Sequence, residues 1–317
     1  MRDVSLATRP SRKQNGMDNL FQIIHEDSEL LVINKPAGLV CHPTKTDAYS
    51  SLISRVRLHL GAAAYSRFFA EPSLGSSREG NRSSAAVGLL HSLGAVGGGA
   101  SGGAAEPHLI NRLDRETSGI VVVAKTGEAA RRLRRAWEGR AVHKEYLAIV
   151  HGHVRSEHGL IDAPLGKNDQ SGVAIKDCVR ADGVASQTAF HVERRFTRAE
   201  GDFTLLRVIP HTGRKHQIRV HLAHYGHSIV GDKLYGGDEE LYLDFVKNRL
   251  TEDQRRHLVL PFQALHAETV RFPWRGGEAV FCAEPERWFA EFASRSSASS
   301  KPIQPIEDAF KNNDEER

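Results

Sequence analysis

Apolar residues along the chain gather in short runs separated by polar and glycine-containing segments, and the spacing within each run predicts its structure. Residues 21–24 and 30–34 read as two strands joined by the acidic turn His25-Glu26-Asp27-Ser28-Glu29. Ile120-Val121-Val122-Val123-Ala124 is apolar at every position and reads as a buried strand. Residues 128–137 read as a basic helix carrying Arg131, Arg132, Arg134 and Arg135, either a solvated face or a contact for a polyanion. Residues 144–150, 188–196 and 203–209 read as strands, the last two joined by a turn through Gly201-Asp202. Thr212 is placed to cap a helix ending near Gly226, with Ile218, Leu222 and Tyr225 on its buried side. Strands near 264–272 and 279–283 precede a final helix over 285–293. Strand runs with interspersed helices argue for an α+β protein, not for regular βαβ alternation.

Composition changes this picture in three places. Residues 61–106 are rich in Ala, Gly and Ser and lack sustained periodicity, so a low-complexity insertion is expected there. Its uncharged part, 83–105, is long enough to raise the question of a membrane span, but its many glycines argue for a flexible insert. Residues 1–19 and 295–317 are polar and are expected to be disordered, which leaves 20–294 as one folded domain. The 40% hydrophobic and 26% charged content is that of a soluble globular chain of 317 residues. Cys41, Cys178 and Cys282 are odd in number and far apart, which points to a reducing compartment without a disulfide framework. With no secretory signal at the start, a cytoplasmic location is expected. A net charge of +4 is a weak hint of a polyanionic partner.

The stretch Asn111-Arg112-Leu113-Asp114-Arg115-Glu116-Thr117-Ser118-Gly119 leads directly into the apolar run at 120. Guanidinium groups beside a carboxylate favour its ionised form, which a nucleophile or base made from Asp requires. On spacing alone, a salt-bridged turn before a strand is the simpler reading. The stretch also resembles the catalytic motif of the RluA-type pseudouridine synthases, Arg-Leu-Asp-x-x-Thr-Ser-Gly followed by aliphatics. Three further blocks resemble that family in the expected order. They are Val32-Ile33-Asn34-Lys35-Pro36-Ala37-Gly38-Leu39, the tyrosine strand Lys144-Glu145-Tyr146-Leu147-Ala148-Ile149-Val150-His151-Gly152, and Thr212-Gly213-Arg214-Lys215-His216-Gln217-Ile218-Arg219-Val220-His221-Leu222 with Gly231-Asp232 after it.

The resemblance implies a mixed, largely antiparallel bent sheet with flanking helices around a central catalytic cleft. It implies isomerisation of uridines in structured RNA, rRNA or tRNA, by a monomer that needs neither metal nor cofactor. Asp114 becomes the essential carboxylate, whether by adding to the sugar or by removing a ribose proton. Tyr146 stacks on the uracil and manages a proton, although β-propensity alone would explain an aromatic there. Arg219 pairs with Asp114, Arg112 fills the space of the flipped nucleotide or meets phosphate, and Ile218 lines the base pocket. Lys35, Arg214 and Lys144 are expected phosphate contacts, with solvated loop charges as the plain alternative. Family members often carry a small RNA-binding domain ahead of this core, and with about twenty residues before the first strand that domain is expected to be absent. Asn111 stands where the rRNA-modifying relatives most often have histidine, and Lys215 where a small hydroxyl residue is common.

Two other functions compete. A non-catalytic RNA-binding protein on the same fold would be expected to lack the carboxylate or the tyrosine. A metal-dependent hydrolase would use His216, His221, His224 and His227, but no His-Glu-x-x-His pattern or nearby cysteine supports it.

Overall fold

The computed structural model describes residues 21–43, 51–70 and 106–294. The chain divides into two compact units. The first comprises Met1–Lys35, Leu39–Arg115 and Ile120–Gly139, the second Pro36–Gly38, Glu116–Gly119 and Arg140–Arg317.

In the first unit, β1 (Gln22–Glu26) and β2 (Leu30–Lys35) form an antiparallel pair. Their turn is closed by Asp27, whose carboxylate accepts the N–H groups of Glu29 and Leu30, each at 2.7 Å. β2 is buried along its whole length and neighbours β4 (Ser118–Ala124), whose edge is covered by the short antiparallel β3 (His108–Leu109). Strand alternation sends Leu31, Ile33, Val121 and Val123 into one cluster with Leu39, Cys41, Leu52 and Val56. Leu52 and Val56 come from α1 (Leu52–Ala70). α2 (Gly127–Glu138) is capped by the Thr126 hydroxyl, which accepts the Ala129 N–H, and it buries Ala129, Ala130 and Leu133.

α1 corrects one expectation. It runs to Ala70, so the first ten residues of the expected insertion are helical, because the alanines at 62–64 are strong helix formers that an absence of apolar periodicity conceals. Residues 71–105, like the two polar ends expected at 1–19 and 295–317, lie outside the described residues.

The second unit is built on an antiparallel sheet in the order β11 (Leu265–Trp274), β5 (His143–His151), β10 (Gly201–Pro210), β9 (Gln187–Arg198), β6 (His158–Asp162), with β12 (Gly277–Cys282) also on β11. Ser118 and Gly119, at the start of β4, join β11 in parallel opposite His266 and Ala267, so the sheet is mixed. The β9–β10 turn is Ala199-Glu200, two residues earlier than expected, and Gly201 opens β10. A separate hairpin pairs β7 (Leu165–Lys167) with β8 (Asp177–Val179). Helices α3 (Gln217–His224), α4 (Glu240–Val246), α5 (Glu252–Leu258) and α6 (Arg287–Ser294) flank the sheet. Ile218 and Leu222 from α3 and Phe289 and Phe292 from α6 fill the core with Ile149, Phe203 and Val208. The Phe203 and Phe292 rings meet edge to face at 5.1 Å. This is the expected α+β architecture.

Candidate active site

The segment carrying Asp114 is fixed in the first unit by its neighbours. The Asn111 carboxamide donates to the Ile120 carbonyl at 3.0 Å and accepts the Val122 N–H at 2.8 Å, acting as a strand partner for β4. The departure at position 111 is therefore a backbone clasp. Leu113 is held at both its N–H and its carbonyl by the Cys41 thiol, at 3.5 and 3.4 Å. The Lys35 ammonium donates to the carbonyls of Arg115 at 3.1 Å and Leu39 at 2.8 Å. Asp114, half-buried between Leu113 and Arg115, thus has both adjoining residues tied down, while Arg112 and Arg115 are exposed. The phosphate role expected of Lys35 is corrected here. The side chain is 0% exposed, and an ammonium already desolvated onto two carbonyls is not placed to meet a solvated phosphate.

The remainder of the motif is bound into the second unit residue by residue. Glu116 receives the Lys233 ammonium, 2.9 and 3.0 Å from its two carboxylate oxygens, and Lys233 also donates to the carbonyls of Pro261 and Gly231. Burial pushes the Glu116 pKa up, and the Lys233 charge opposes that shift. Thr117 accepts the Gln263 amide at 2.5 Å. Ser118 lies 2.9 Å from His266 Nδ1, whose Nε2 lies 2.9 Å from the Ala283 carbonyl. Burial lowers the His266 pKa, so the ring is neutral, donates through Nε2, and accepts the serine proton at Nδ1. Gly119 has φ +111, and a Cβ there would sit 2.3 Å from the Ala267 carbonyl oxygen. The Thr-Ser-Gly of the motif is thus set by packing against Gln263, His266 and β11.

The same unit positions the expected tyrosine and arginine. Tyr146 is half-buried on β5, opposite Val208 of β10 and Ala267 of β11, and it packs against the core. Lys144 stands two residues earlier on the same face, its pKa lowered by burial. α3 starts at Gln217 and not after Thr212, because His216 takes a left-handed conformation at φ 55. The Thr212 hydroxyl donates to Gln217 Oε1 at 2.7 Å, and the same Oε1 accepts the Arg214 N–H at 3.0 Å, so Gln217 braces the turn ahead of the helix. Arg214 is exposed, Ile218 is buried in the core, and Tyr225, expected on the buried side, is 41% exposed.

Arg219 is buried and forks onto Asp232, with Nε–Oδ2 2.7 Å and Nη2–Oδ1 2.8 Å. Asp232 Oδ1 also accepts the N–H groups of Leu234 at 2.9 Å and Tyr235 at 3.0 Å. Burial alone would raise the Asp232 pKa, but the Arg219 charge and these hydrogen bonds hold it below the usual carboxylate range. The Arg219 guanidinium lies 4.9 Å from the Tyr235 ring centroid. The Tyr235 hydroxyl accepts the Asp177 N–H at 3.1 Å and lies 2.9 Å from His216 Nδ1. Burial pushes the Tyr235 pKa above the ordinary phenol value. Gly231 has φ +79 and passes so close to the Phe262 carbonyl that a Cβ would sit 2.3 Å from its oxygen. The Gly231-Asp232 pair thus shapes the Arg219 fork, a role that sequence reading did not assign.

The four histidines do not converge. His216 binds Tyr235, His221 binds Thr188 and the Ala163 carbonyl, His227 binds the His151 carbonyl, and His224 is exposed. Among the described residues, no three His, Cys, Asp or Glu side chains come together as a metal set.

A family model described as RNA pseudouridylate synthase matches residues 29–224, which include Asp114, Tyr146 and Arg219. The ribosomal large subunit pseudouridine synthase D of Zymomonas mobilis is 30% identical over 278 residues, covering 87% of this chain and 72% of the relative. The dual-specificity RNA pseudouridine synthase RluA of Vibrio vulnificus is 32% identical over 220 residues, covering 69% and 70%. The match to an uncharacterised RNA pseudouridine synthase of Aquifex aeolicus spans 56% of that relative's length at 32% identity. A solved structure, human RNA pseudouridylate synthase domain containing 1, superposes with a TM-score of 0.57 at 22% identity, covering 86% of each chain, which shows a shared fold.

Proposed function

The chain belongs to the RluA type of the RNA pseudouridylate synthase family, and we propose that it isomerises uridines of structured rRNA or tRNA with Asp114 as the essential carboxylate. The observation that carries this reading is the family match over 29–224, which spans all three expected catalytic residues.

In the reaction the glycosidic N1–C1′ bond breaks, the uracil turns, and a C5–C1′ bond forms. N1 gains a proton and C5 loses one, so nothing is oxidised or reduced and no group departs. The residues have only to position, exclude water and move protons. Asp114 acts at the sugar, Tyr146 supplies a platform and a proton route at the base, and Arg219 is the counter-charge that orients the carboxylate. Arg112 and Arg214, both exposed, meet the RNA backbone, and Lys144 has the same role. Ile218 borders the base. We place the protein in the cytoplasm as a monomer without a metal or cofactor. Among the described residues, no helix is long and apolar enough to cross a membrane.

Asp114→Asn tests the reading. The amide is nearly isosteric, so melting and RNA affinity should change little, while tritium release from labelled uridine in RNA should become undetectable. A folded Asp114→Asn protein that still isomerises uridine at an appreciable rate would remove the carboxylate from the chemistry.

A further inference from the structure

α2 carries four arginines, of which one is accounted for. Arg132 is partly exposed and forms an ion pair with Glu29. Arg131, Arg134 and Arg135 are exposed, and among the described residues none has a carboxylate within ion-pair distance. Exposure does not by itself prevent pairing, since Arg180 pairs with Asp169 and Asp182, Arg195 with Glu157, and Arg287 with Glu291. Partners are within helical reach, since Glu128 stands three residues before Arg131 and Glu138 four after Arg134. Arg131 and Arg135, four residues apart, repel each other instead, which disfavours the helix by about 0.2–0.5 kcal/mol. Helix stability therefore does not account for this face.

We infer that the exposed face of α2 is a docking surface for RNA phosphates. The inference rests on the RNA reading given above and extends the RNA footprint to this helix. Planar guanidinium forks suit phosphate geometry, and an unneutralised stripe offers net charge to a polyanion. The outward positions Gly127, Glu128, Arg131, Arg134, Arg135 and Glu138 include no apolar side chain. That composition fits neither insertion at a bilayer surface nor the apolar centre of a protein interface, whereas backbone contacts to RNA need none.

The test compares wild type with Arg131→Gln/Arg134→Gln/Arg135→Gln and with the triple Lys variant, by filter binding to a structured rRNA fragment across a range of KCl. With each phosphate contact worth about 0.7–0.9 of log–log slope, the Gln variant should lose roughly two to three units of slope. The Lys variant should retain most of it, and melting should be unchanged because the side chains are exposed. In turnover, the Gln variant should lose mainly through a higher KM. A wild-type slope in the Gln variant overturns the inference, as does unchanged RNA binding with lost binding to phosphatidylserine-containing vesicles. Isomerisation by the wild type is scored separately. An inactive wild type whose slope still falls in the variant would sink the proposed function and leave this surface standing.

Discussion

Asp232→Asn is the perturbation whose outcome the geometry determines most closely. Asp232 Oδ1 accepts from Arg219 Nη2 and from the N–H groups of Leu234 and Tyr235, while Oδ2 accepts from Arg219 Nε. An asparagine keeps Oδ1 only by placing its amino group where Oδ2 stood, donor against donor with Arg219 Nε. The Arg219 side chain is 8% exposed, so water replaces little of what is lost. Removing one partner of a buried pair typically costs about 3–5 kcal/mol. In a domain of this size that corresponds to a melting point lower by roughly 6–20 °C. Against a typical total stability of about 5–15 kcal/mol, the variant should remain largely folded at low temperature.

Stability alone would not separate a scaffold from a positioning residue, so single-turnover isomerisation is measured below the variant's melting transition. If the fork aims Arg219, the rate constant for the bound RNA should fall by more than the folded fraction, while KM changes less. The double variant Arg219→Gln/Asp232→Asn sharpens the comparison, because a neutral amide pair removes the charges while Asn Oδ1 still accepts the Leu234 and Tyr235 N–H groups and its amino group can donate to the Gln carbonyl. It should melt near wild type and remain inactive. A folded Asp232→Asn enzyme turning over at the wild-type rate would refute the positioning argument. A double variant that is stable and active would go further and remove Arg219 from the mechanism.

Two other outcomes are expected. Gly119→Ala should destabilise the fold by roughly 2–6 kcal/mol, since the left-handed backbone and the overlap with the Ala267 carbonyl act together, and circular-dichroism melts would measure it. Glu26 is held down to about 2 chiefly by its hydrogen bond to His59, which together with the bond to Lys125 outweighs the opposing effect of burial. Because the folded pKa is depressed, this contribution is complete above the ordinary value of 4.5 and is lost as pH falls toward about 2. Denaturant titrations of wild type and Glu26→Gln should therefore converge across that window, and parallel curves would contradict the assignment.

Sequence periodicity located the long strands to within a residue or two, because β2, β4, β5, β9, β10 and β11 carry their own apolar pattern. It missed β6, β7 and β8, which are short and polar and acquire their strand geometry from a neighbour. The start of α3 was misplaced for a different reason. Thr212 has the composition of a cap, but its hydroxyl is engaged by Gln217, and the break at His216 leaves no compositional trace in a residue that is neither Gly nor Asn. Lys35 reads as a phosphate contact from sequence because its two acceptors, the carbonyls of Leu39 and Arg115, are backbone atoms that a sequence does not advertise. The motif blocks named Asp114, Tyr146 and Arg219, yet the partners that fix the loop and the fork, Lys233, Gln263, His266 and Asp232, depend on contacts across more distant sequence.

Among the described residues, the buried Lys, Arg, Asp and Glu side chains are Lys35, Glu116, Arg219, Asp232 and Lys233. Each lies in one of the four motif blocks or, in the case of Lys233, pairs with a residue that does. Buried charges are a poor route to stability, since the desolvation penalty can exceed the Coulombic gain. A chain shaped for stability alone would have little reason to concentrate them here. What they provide is direction: a forked carboxylate admits one guanidinium geometry, and an ammonium between two carbonyls admits one loop path, where an apolar contact would tolerate several. Two of the five act on residues next to the proposed chemistry, Lys35 through the carbonyl beside Asp114 and Asp232 through Arg219. The distribution of buried charge thus points to the same residues as the family motifs, for a reason that owes nothing to the resemblance. Replacing the Arg219–Asp232 pair by Gln and Asn separates the two roles, because the backbone acceptor at 232 is kept, so that stability should survive and isomerisation should not.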